Sequence, residues 1–278
     1  MLKSFTRRKF IAIPLVGSIG AIAGVQRDNG KTVKRTRQKR MKIGYHFWNC
    51  SRQWDTDLDR CLRLAKKTGY QGFEALLEKV RVTPAQFKTK CQQIGLTCAA
   101  ISGKLKEAID FAYEAGIPSV RCHVPKDQTK KWVDYASERK VVIAVHNHIG
   151  RGGQGTGSVE TREDLLRYLD ERPGVQACPD TGHLLLCGDD PVQTIHDLGG
   201  RLACIHLKDV NPEAVGKGKK MKNMWFELGT GALDVAGVMK ALEKTGYTDW
   251  VIVEYGNQVE DFYQSARNMR QVLRELGY

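Results

Sequence analysis

Eight short apolar runs recur along this chain, and segments with helical periodicity lie between them. The runs are rich in β-branched and aromatic residues, which favours β-strands. Strands that alternate with helices form a parallel sheet, and eight repeats allow that sheet to close into a barrel. The sequence therefore predicts an α/β fold, a single-domain (β/α)8 barrel, with a doubly wound open sheet as the alternative. We place the strands at residues 42–47, 72–75, 96–101, 119–124, 141–146, 175–180, 202–208 and 250–254.

The segments between the runs carry helix signals of their own. Apolar residues at positions 58, 61, 62 and 65 have the spacing of one helix face, and Gly69 follows as a stop signal. Thr83 before Pro84 is typical of a helix start, and Gly95 of the end of that helix. The sequence therefore predicts helices in the connections that such a barrel requires.

The first 40 residues differ in character from the rest of the chain. Arg7 and Arg8 precede an apolar stretch, and a small-residue cleavage site follows near Ala23, so this segment resembles a twin-arginine export leader. We predict a signal peptide at 1–23, a basic disordered linker at 24–40 and the barrel at 41–278, with export by the twin-arginine route to the periplasm. The alternative is a basic amphipathic N-terminus on a cytoplasmic protein.

Two features of this N-terminal segment limit the partners of the protein. The apolar stretch falls short of the ~20 residues that a spanning helix needs, so stable membrane insertion is not expected. Residues 1–40 also hold 11 of the 44 Lys and Arg residues against one acid, which leaves the remaining chain at +3 of the total +13. A nearly balanced barrel gives little reason to expect nucleic-acid binding.

The eight cysteines show no CxxC motif and no even spacing, and several lie inside the predicted strands. We therefore expect buried free thiols and not a disulfide framework or a zinc knuckle. An oxidised pair of Cys178 with Cys204 on neighbouring strands is the alternative.

Four of the predicted strands end in side chains that can bind a divalent metal. The carboxyl ends of barrel strands meet at one face, which is where barrel enzymes keep their chemistry. Imidazole and carboxylate groups together suit zinc, manganese or cobalt. The sequence therefore predicts a metal-dependent enzyme with one divalent ion of open identity, held by His146, Asp180, His206 and Glu254.

Short motifs at these strand ends follow one another in a characteristic order. They are AVHNH at 144–148, DTGH at 180–183, HLKD at 206–209, FELGTG at 226–231 and the segment 246–254. The ordered set resembles the xylose isomerase-like superfamily, specifically the sugar phosphate isomerase/epimerase group. The resemblance implies a TIM barrel whose ion is bound by Asp180, His206 and Glu254. His146 occupies the position at which that family has a fifth-strand carboxylate.

An ion bound by a sugar's carbonyl and hydroxyl groups stabilises the enediolate that forms when the adjacent proton leaves. Glu254 or His146 can accept that proton. Family epimerases use paired glutamates, of which only Glu254 is present here. We predict a sugar isomerase/epimerase-type enzyme. The alternatives are a metal-dependent lyase or hydrolase of 3-keto-glycosides, a sugar dehydratase, and a non-catalytic exported sugar-binding barrel.

Other polar and aromatic side chains near the predicted strand ends are candidates for binding a small carbohydrate substrate. Each also has a structural explanation, such as helix capping, a salt bridge, support of a metal ligand or simple packing. No cofactor other than the ion is expected, and a homo-oligomer is left open. The candidates are His183, His148, Lys208, Glu74, His46 and Trp48, and His123 is a further residue that could line the pocket.

Overall fold

The structure is a computed structural model that describes residues 41–47, 58–150, 159–218, 222–257 and 261–278. The predicted signal peptide and linker, and the candidate residue Trp48, lie outside these ranges. Within the described part of the chain, no helix is long and apolar enough to cross a membrane.

Eight parallel strands form the inner wall, which confirms the predicted barrel. The strands are β1 Lys42–His46, β2 Gly72–Leu76, β3 Thr97–Ser102, β4 Ser119–Arg121, β5 Val142–His146, β6 Gln176–Cys178, β7 Cys204–Leu207, β8 Asp209–Val210, β9 Trp225–Phe226 and β10 Trp250–Val253. The spatial order in the barrel is β6-β5-β4-β3-β2-β1-β10-β7, and helices occupy the connections. A short antiparallel hairpin, β8 and β9, follows the seventh barrel strand.

The seam between β6 and β7 closes the barrel through a few contacts only. Parallel bridges join Ala177 to Leu202 and Asp180 to His206. The backbone N–H of His206 donates to the carbonyl of Pro179 at 2.9 Å. This last hydrogen bond brings the end of the sixth strand beside the seventh, so Asp180 and His206 become neighbours.

The helix boundaries predicted at Thr83 and Gly95 are confirmed. Thr83 and Gln86 form a capping box at the start of the second helix, and Gly95 ends it at φ 68°, a conformation that favours glycine. The α-helices are α1 Leu58–Thr68, α2 Pro84–Ile94, α3 Leu105–Ala115, α4 Thr129–Glu138, α5 Arg162–Asp170, α6 Thr181–Cys187, α7 Pro191–Leu198, α8 Val235–Lys244 and α9 Phe262–Glu275.

The barrel buries its apolar residues between the strands and the helices. In α1, Cys61, Leu62 and Ala65 are buried, as their spacing predicts. Apolar residues of all the barrel strands join the core, and this burial supplies most of the driving force for folding. Buried polar residues concentrate near the carboxyl ends of the strands, and they include Glu74, His206 and Glu254.

The structure differs from the predicted elements at the fourth strand, at the sixth strand and at one helix. The fourth and sixth strands end three and two residues early, at Arg121 and Cys178, because the backbone amides of their predicted last residues donate to side chains. Val124 N–H donates to the Tyr168 hydroxyl, and Asp180 N–H to the Asn147 side chain. In addition, helix α6 begins directly after Asp180, where no helix is predicted from the sequence.

Candidate active site

Potential metal ligands from the last barrel strands converge at the carboxyl face of the barrel. Ligand atoms of Asp180, His206 and Glu254 all lie within 4.8 Å of one another, and the three residues are buried. His206 Nδ1 is 2.9 Å from Glu254 Oε2 and 3.9 Å from Asp180 Oδ2. The structure thus brings three of the four predicted ligands to one point.

Helix α6 sets the orientation of the Asp180 carboxylate. Asp180 is the N-cap residue of this helix, and its Oδ1 accepts a hydrogen bond from the His183 backbone N–H at 2.9 Å. Its other oxygen, Oδ2, is buried and accepts no hydrogen bond from the described residues. A buried carboxylate oxygen without a donor is costly, so Oδ2 is well suited to bind a cation.

His146 stands beside this group and not within it. It belongs to two adjoining clusters, one with Asp180 and His183 and one with Cys178 and His206. Its Nδ1 lies 3.2 Å from the Cys178 carbonyl oxygen. Because a carbonyl only accepts, Nδ1 carries the proton and Nε2 presents a lone pair. Burial lowers the pKa of His146 well below its usual value, with a further contribution from Arg121, so the ring is neutral.

A buried carboxylate holds His206 from the opposite side. Glu74 Oε2 lies 2.7 Å from His206 Nε2, and Arg121 donates to the other Glu74 oxygen. Burial alone would raise the pKa of Glu74, but Arg121 and His206 outweigh it and hold that pKa well below the usual range. Burial alone would lower the pKa of His206, yet Glu74 and Glu254 raise it to about 10. A bound cation would therefore displace a proton from His206.

Lys208 is placed against the carboxylates of the metal cluster. Its Nζ lies 2.6 Å from Glu254 Oε1 and 3.7 Å from Asp180 Oδ2, and 4.4 Å above the Trp225 ring. Burial disfavours the charged form, but Glu254 and Asp180 raise the pKa of Lys208 above its usual value. For Glu254, burial is likewise outweighed by Lys208, which contributes most to holding its pKa well below the usual range. The ammonium and the carboxylate are therefore both charged.

A cavity of about 350 Å³ opens above these groups. Four of the predicted substrate-binding residues, His46, His148, His183 and Lys208, line it together with both predicted catalytic residues, Glu254 and His146. The fifth, Glu74, is fully buried and does not line this cavity; its contacts are those of a residue that orients His206. Substrate contact by any of these side chains stays a prediction.

Comparison with known proteins places the chain in a family. The model of the family described as Xylose isomerase-like TIM barrel matches residues 104–276. The chain belongs to this family. The inosose dehydratase of Geobacillus thermodenitrificans is 29% identical to it over 155 residues, which cover 51% of this chain and 50% of that protein. The chain thus spans about half the length of this relative.

Solved structures share the fold of this xylose isomerase-like barrel. A D-allulose 3-epimerase from Methylomonas sp. is 18% identical with a TM-score of 0.65, and the match covers 86% of this chain and 98% of that chain. An IolI protein with a bound zinc atom is 17% identical with a TM-score of 0.64, covering 85% and 96% of the two chains. At such low identity the likeness shows the fold.

The residues present fit a divalent ion. Two carboxylates and one imidazole form a donor set that suits zinc, manganese or cobalt, and Asp180 Oδ2 is a buried acceptor that has no donor among the described residues. Asp180, His206 and Glu254 would hold the ion, and His146 adjoins them as a further nitrogen donor from the fifth strand. Lys208 shares the Glu254 carboxylate, so its ammonium must leave room for the cation.

Two residues that contact the predicted site residues of this xylose isomerase-like barrel were not found from the sequence. Arg121 is the charged residue at the end of β4, and its pairing with Glu74 depends on the register between strands. Trp225 packs against His183 and lies below the Lys208 ammonium. The Asp209 carboxylate, which follows Lys208, accepts hydrogen bonds from the backbone of Val210, Gly229, Gly231 and Leu233. A charged residue inside an apolar run was the available signal for Arg121.

Replacing Asp180 by Asn tests the metal site. Asn keeps the helix cap and the side-chain size but removes the charged ligand. We expect about one divalent ion per wild-type chain, and an affinity at least about 100-fold weaker in the variant. The measurement is metal content by mass spectrometry after incubation with manganese, zinc or cobalt salts and dialysis.

The matched control is Asp249→Asn, because Asp249 is exposed and forms an ion pair with Lys42 at the protein surface. This control should bind the ion as wild type does. A wild-type chain that retains no ion with any of the three salts would refute the metal site.

Proposed function

We propose that this barrel is a divalent-metal-dependent enzyme that removes the proton next to a carbonyl of a sugar or cyclic polyol and then expels a leaving group from the β carbon. The observation that carries the proposal is the contact of Glu254 with Lys208 beside the Asp180–His206 pair. When bound, the ion would polarise the substrate carbonyl and stabilise the enediolate.

Glu254 and Lys208 are suited to be the base and the acid of one elimination. Glu254 takes the proton from carbon, a double bond forms, and the C–O bond at the β carbon breaks. The leaving oxygen takes a proton from the Lys208 ammonium. Glu254 then transfers the proton that it took from carbon to the neutral Lys208 amine, whose Nζ lies 2.6 Å from Glu254 Oε1. Both groups thereby regain their starting charges. The products are an unsaturated ketone and water, or an alcohol when the leaving oxygen is substituted.

Elimination suits this site better than epimerisation. A two-base epimerisation needs one base and, on the opposite face, one protonated acid. His146 is neutral and its Nδ1–H donates to the Cys178 carbonyl, and Glu254 is ionised, so neither side chain is ready to protonate the substrate. The name of one relative, inosose dehydratase, also supports elimination over epimerisation. Isomerisation by Glu254 alone is the second candidate, since the fold is shared with D-allulose 3-epimerase.

The charges around the cavity favour a neutral substrate. Arg121 is paired with Glu74, and Lys208 with Glu254. Binding of a sugar phosphate relies on charged donors that are available to the phosphate oxygens. We infer a neutral, polyhydroxylated substrate. We also propose export to the periplasm, supported by the twin arginines Arg7 and Arg8 ahead of an apolar stretch.

The mass of the product tests the reaction. The metal-loaded protein is incubated with an inosose and with 3-keto-glucose, and products are followed by mass spectrometry. We expect a product lighter by one water that absorbs in the ultraviolet as a conjugated ketone. A product of unchanged mass would establish isomerisation or epimerisation instead. Thermal stabilisation by these ligands without any product would establish a sugar-binding barrel.

A further inference from the structure

A second cavity of about 280 Å³ adjoins the one above Glu254. The two share a wall to which Arg121, His146 and His148 contribute. The second cavity extends from this wall towards the ends of β3 and β4, away from the proposed base and acid. Its own lining is formed by Ser102, Gly103, Cys122 and His123.

Each cavity by itself is small for an enzyme pocket. Ligand pockets commonly enclose roughly 300–1,000 Å³. The first cavity, of about 350 Å³, and the second, of about 280 Å³, lie at or below the lower end of that range. Because they share side chains, the two cavities can be filled by one ligand that reaches past Arg121 and His148.

The lining of the second cavity has the chemistry of a site for hydroxyl groups. Ser102 and His123 offer both donors and acceptors, and Glu78 offers acceptors. Cys122 donates to the Gly103 carbonyl, and burial raises the pKa of this thiol to about 11, so it is neutral. The positive charge of Arg121 is neutralised by its ion pair with Glu74. Such a cavity suits a neutral ring rich in hydroxyl groups.

We propose that the substrate is a neutral two-ring keto-glycoside, with the keto ring above Glu254 and the second sugar ring in the cavity lined by Ser102 and His123. This inference rests on the proposed elimination and names its leaving group. Glu254 takes the proton next to the carbonyl, the bond from the β carbon to the glycosidic oxygen breaks, and that oxygen takes a proton from Lys208. The products are an unsaturated keto sugar and a free second sugar.

The test compares two ligands, a 3-keto-disaccharide and 3-keto-glucose, by calorimetry on the metal-loaded protein. The wild-type chain should bind the two-ring ligand at least about tenfold more tightly, which corresponds to about 1.4 kcal/mol. In Ser102→Phe, whose ring fills the second cavity, the ratio of the two dissociation constants should fall to about one. Thr97→Phe is the matched control, since Thr97 is exposed at the opposite end of the same strand, and it should keep the ratio.

A second variant, His123→Ala, keeps the test decisive if Ser102→Phe fails to fold. It should lower the ratio of the two dissociation constants at least about threefold. A wild-type ratio near one, or a ratio that survives both substitutions, would overturn the proposal. Failure of the proposed function has a different signature: binding would keep its preference for two rings, but neither ligand would be converted. Release of the second sugar, detected by mass spectrometry, would establish both the two-ring substrate and the proposed elimination.

Discussion

Glu254→Gln is expected to lower turnover by about 10²- to 10⁴-fold, the range that a positioned general base contributes. Glutamine keeps the size of the side chain, but it cannot accept the proton from carbon. Glu254 is 7% exposed and faces the cavity beside Lys208, so its carboxylate is the base nearest to the proposed acid. The measurement is kcat with saturating metal ion, so that loss of the ion is separated from loss of the base.

Exchange of the substrate proton in heavy water separates the two halves of the reaction. Glu254→Gln should abolish exchange at the carbon next to the carbonyl, as seen by nuclear magnetic resonance. Lys208→Met should retain some exchange but lose expulsion of the leaving group, because the base remains and the acid does not. Glu275→Gln, at the exposed end of α9, is the matched control and should behave as wild type. Exchange at the wild-type rate in Glu254→Gln would contradict the role of this base.

Arg121→Met is expected to destabilise the fold by about 3–5 kcal/mol, because it leaves a buried carboxylate without its main cation. Glu74 is fully buried, and Arg121 is 13% exposed, so solvent screens this pair little. The free energy of unfolding is measured by urea denaturation. Arg167→Met is the control, since Arg167 forms a surface pair with Asp164 and should cost less than about 1 kcal/mol.

The pair also predicts a dependence on pH. The pKa of Glu74 is held below its value in the unfolded chain, so its contribution to stability is present above about pH 4.3 and is lost on acidification. Arg121→Met should therefore lose less stability than wild type between neutral pH and pH values below about 4. The double variant Arg121→Met with Glu74→Gln should cost less than the two single changes added together. Strict additivity would show that the pair is not coupled.

The barrel itself could be predicted because its signals are local. Strand composition, helix periodicity and the Thr83 and Gly95 boundaries act over a few residues, and the structure confirms them. Helix α6 was missed because it is short and directly follows a strand, although Asp180 is a favoured N-cap residue. The choice of Asp180, His206 and Glu254 rested on barrel geometry, which carries the end of each parallel strand to the same face.

The order of strands and helices, the strand ends that carry polar residues, and the presence of His146 where the family has a carboxylate can all be read from the amino-acid sequence. Which of these side chains touch depends on the folded barrel. Glu74 and His206 are 132 residues apart, and Arg121 reaches Glu74 across the intervening strand. Such pairs depend on strand register and on the direction in which each side chain leaves the barrel wall. Those quantities are fixed by packing of the whole barrel, so no local pattern encodes them.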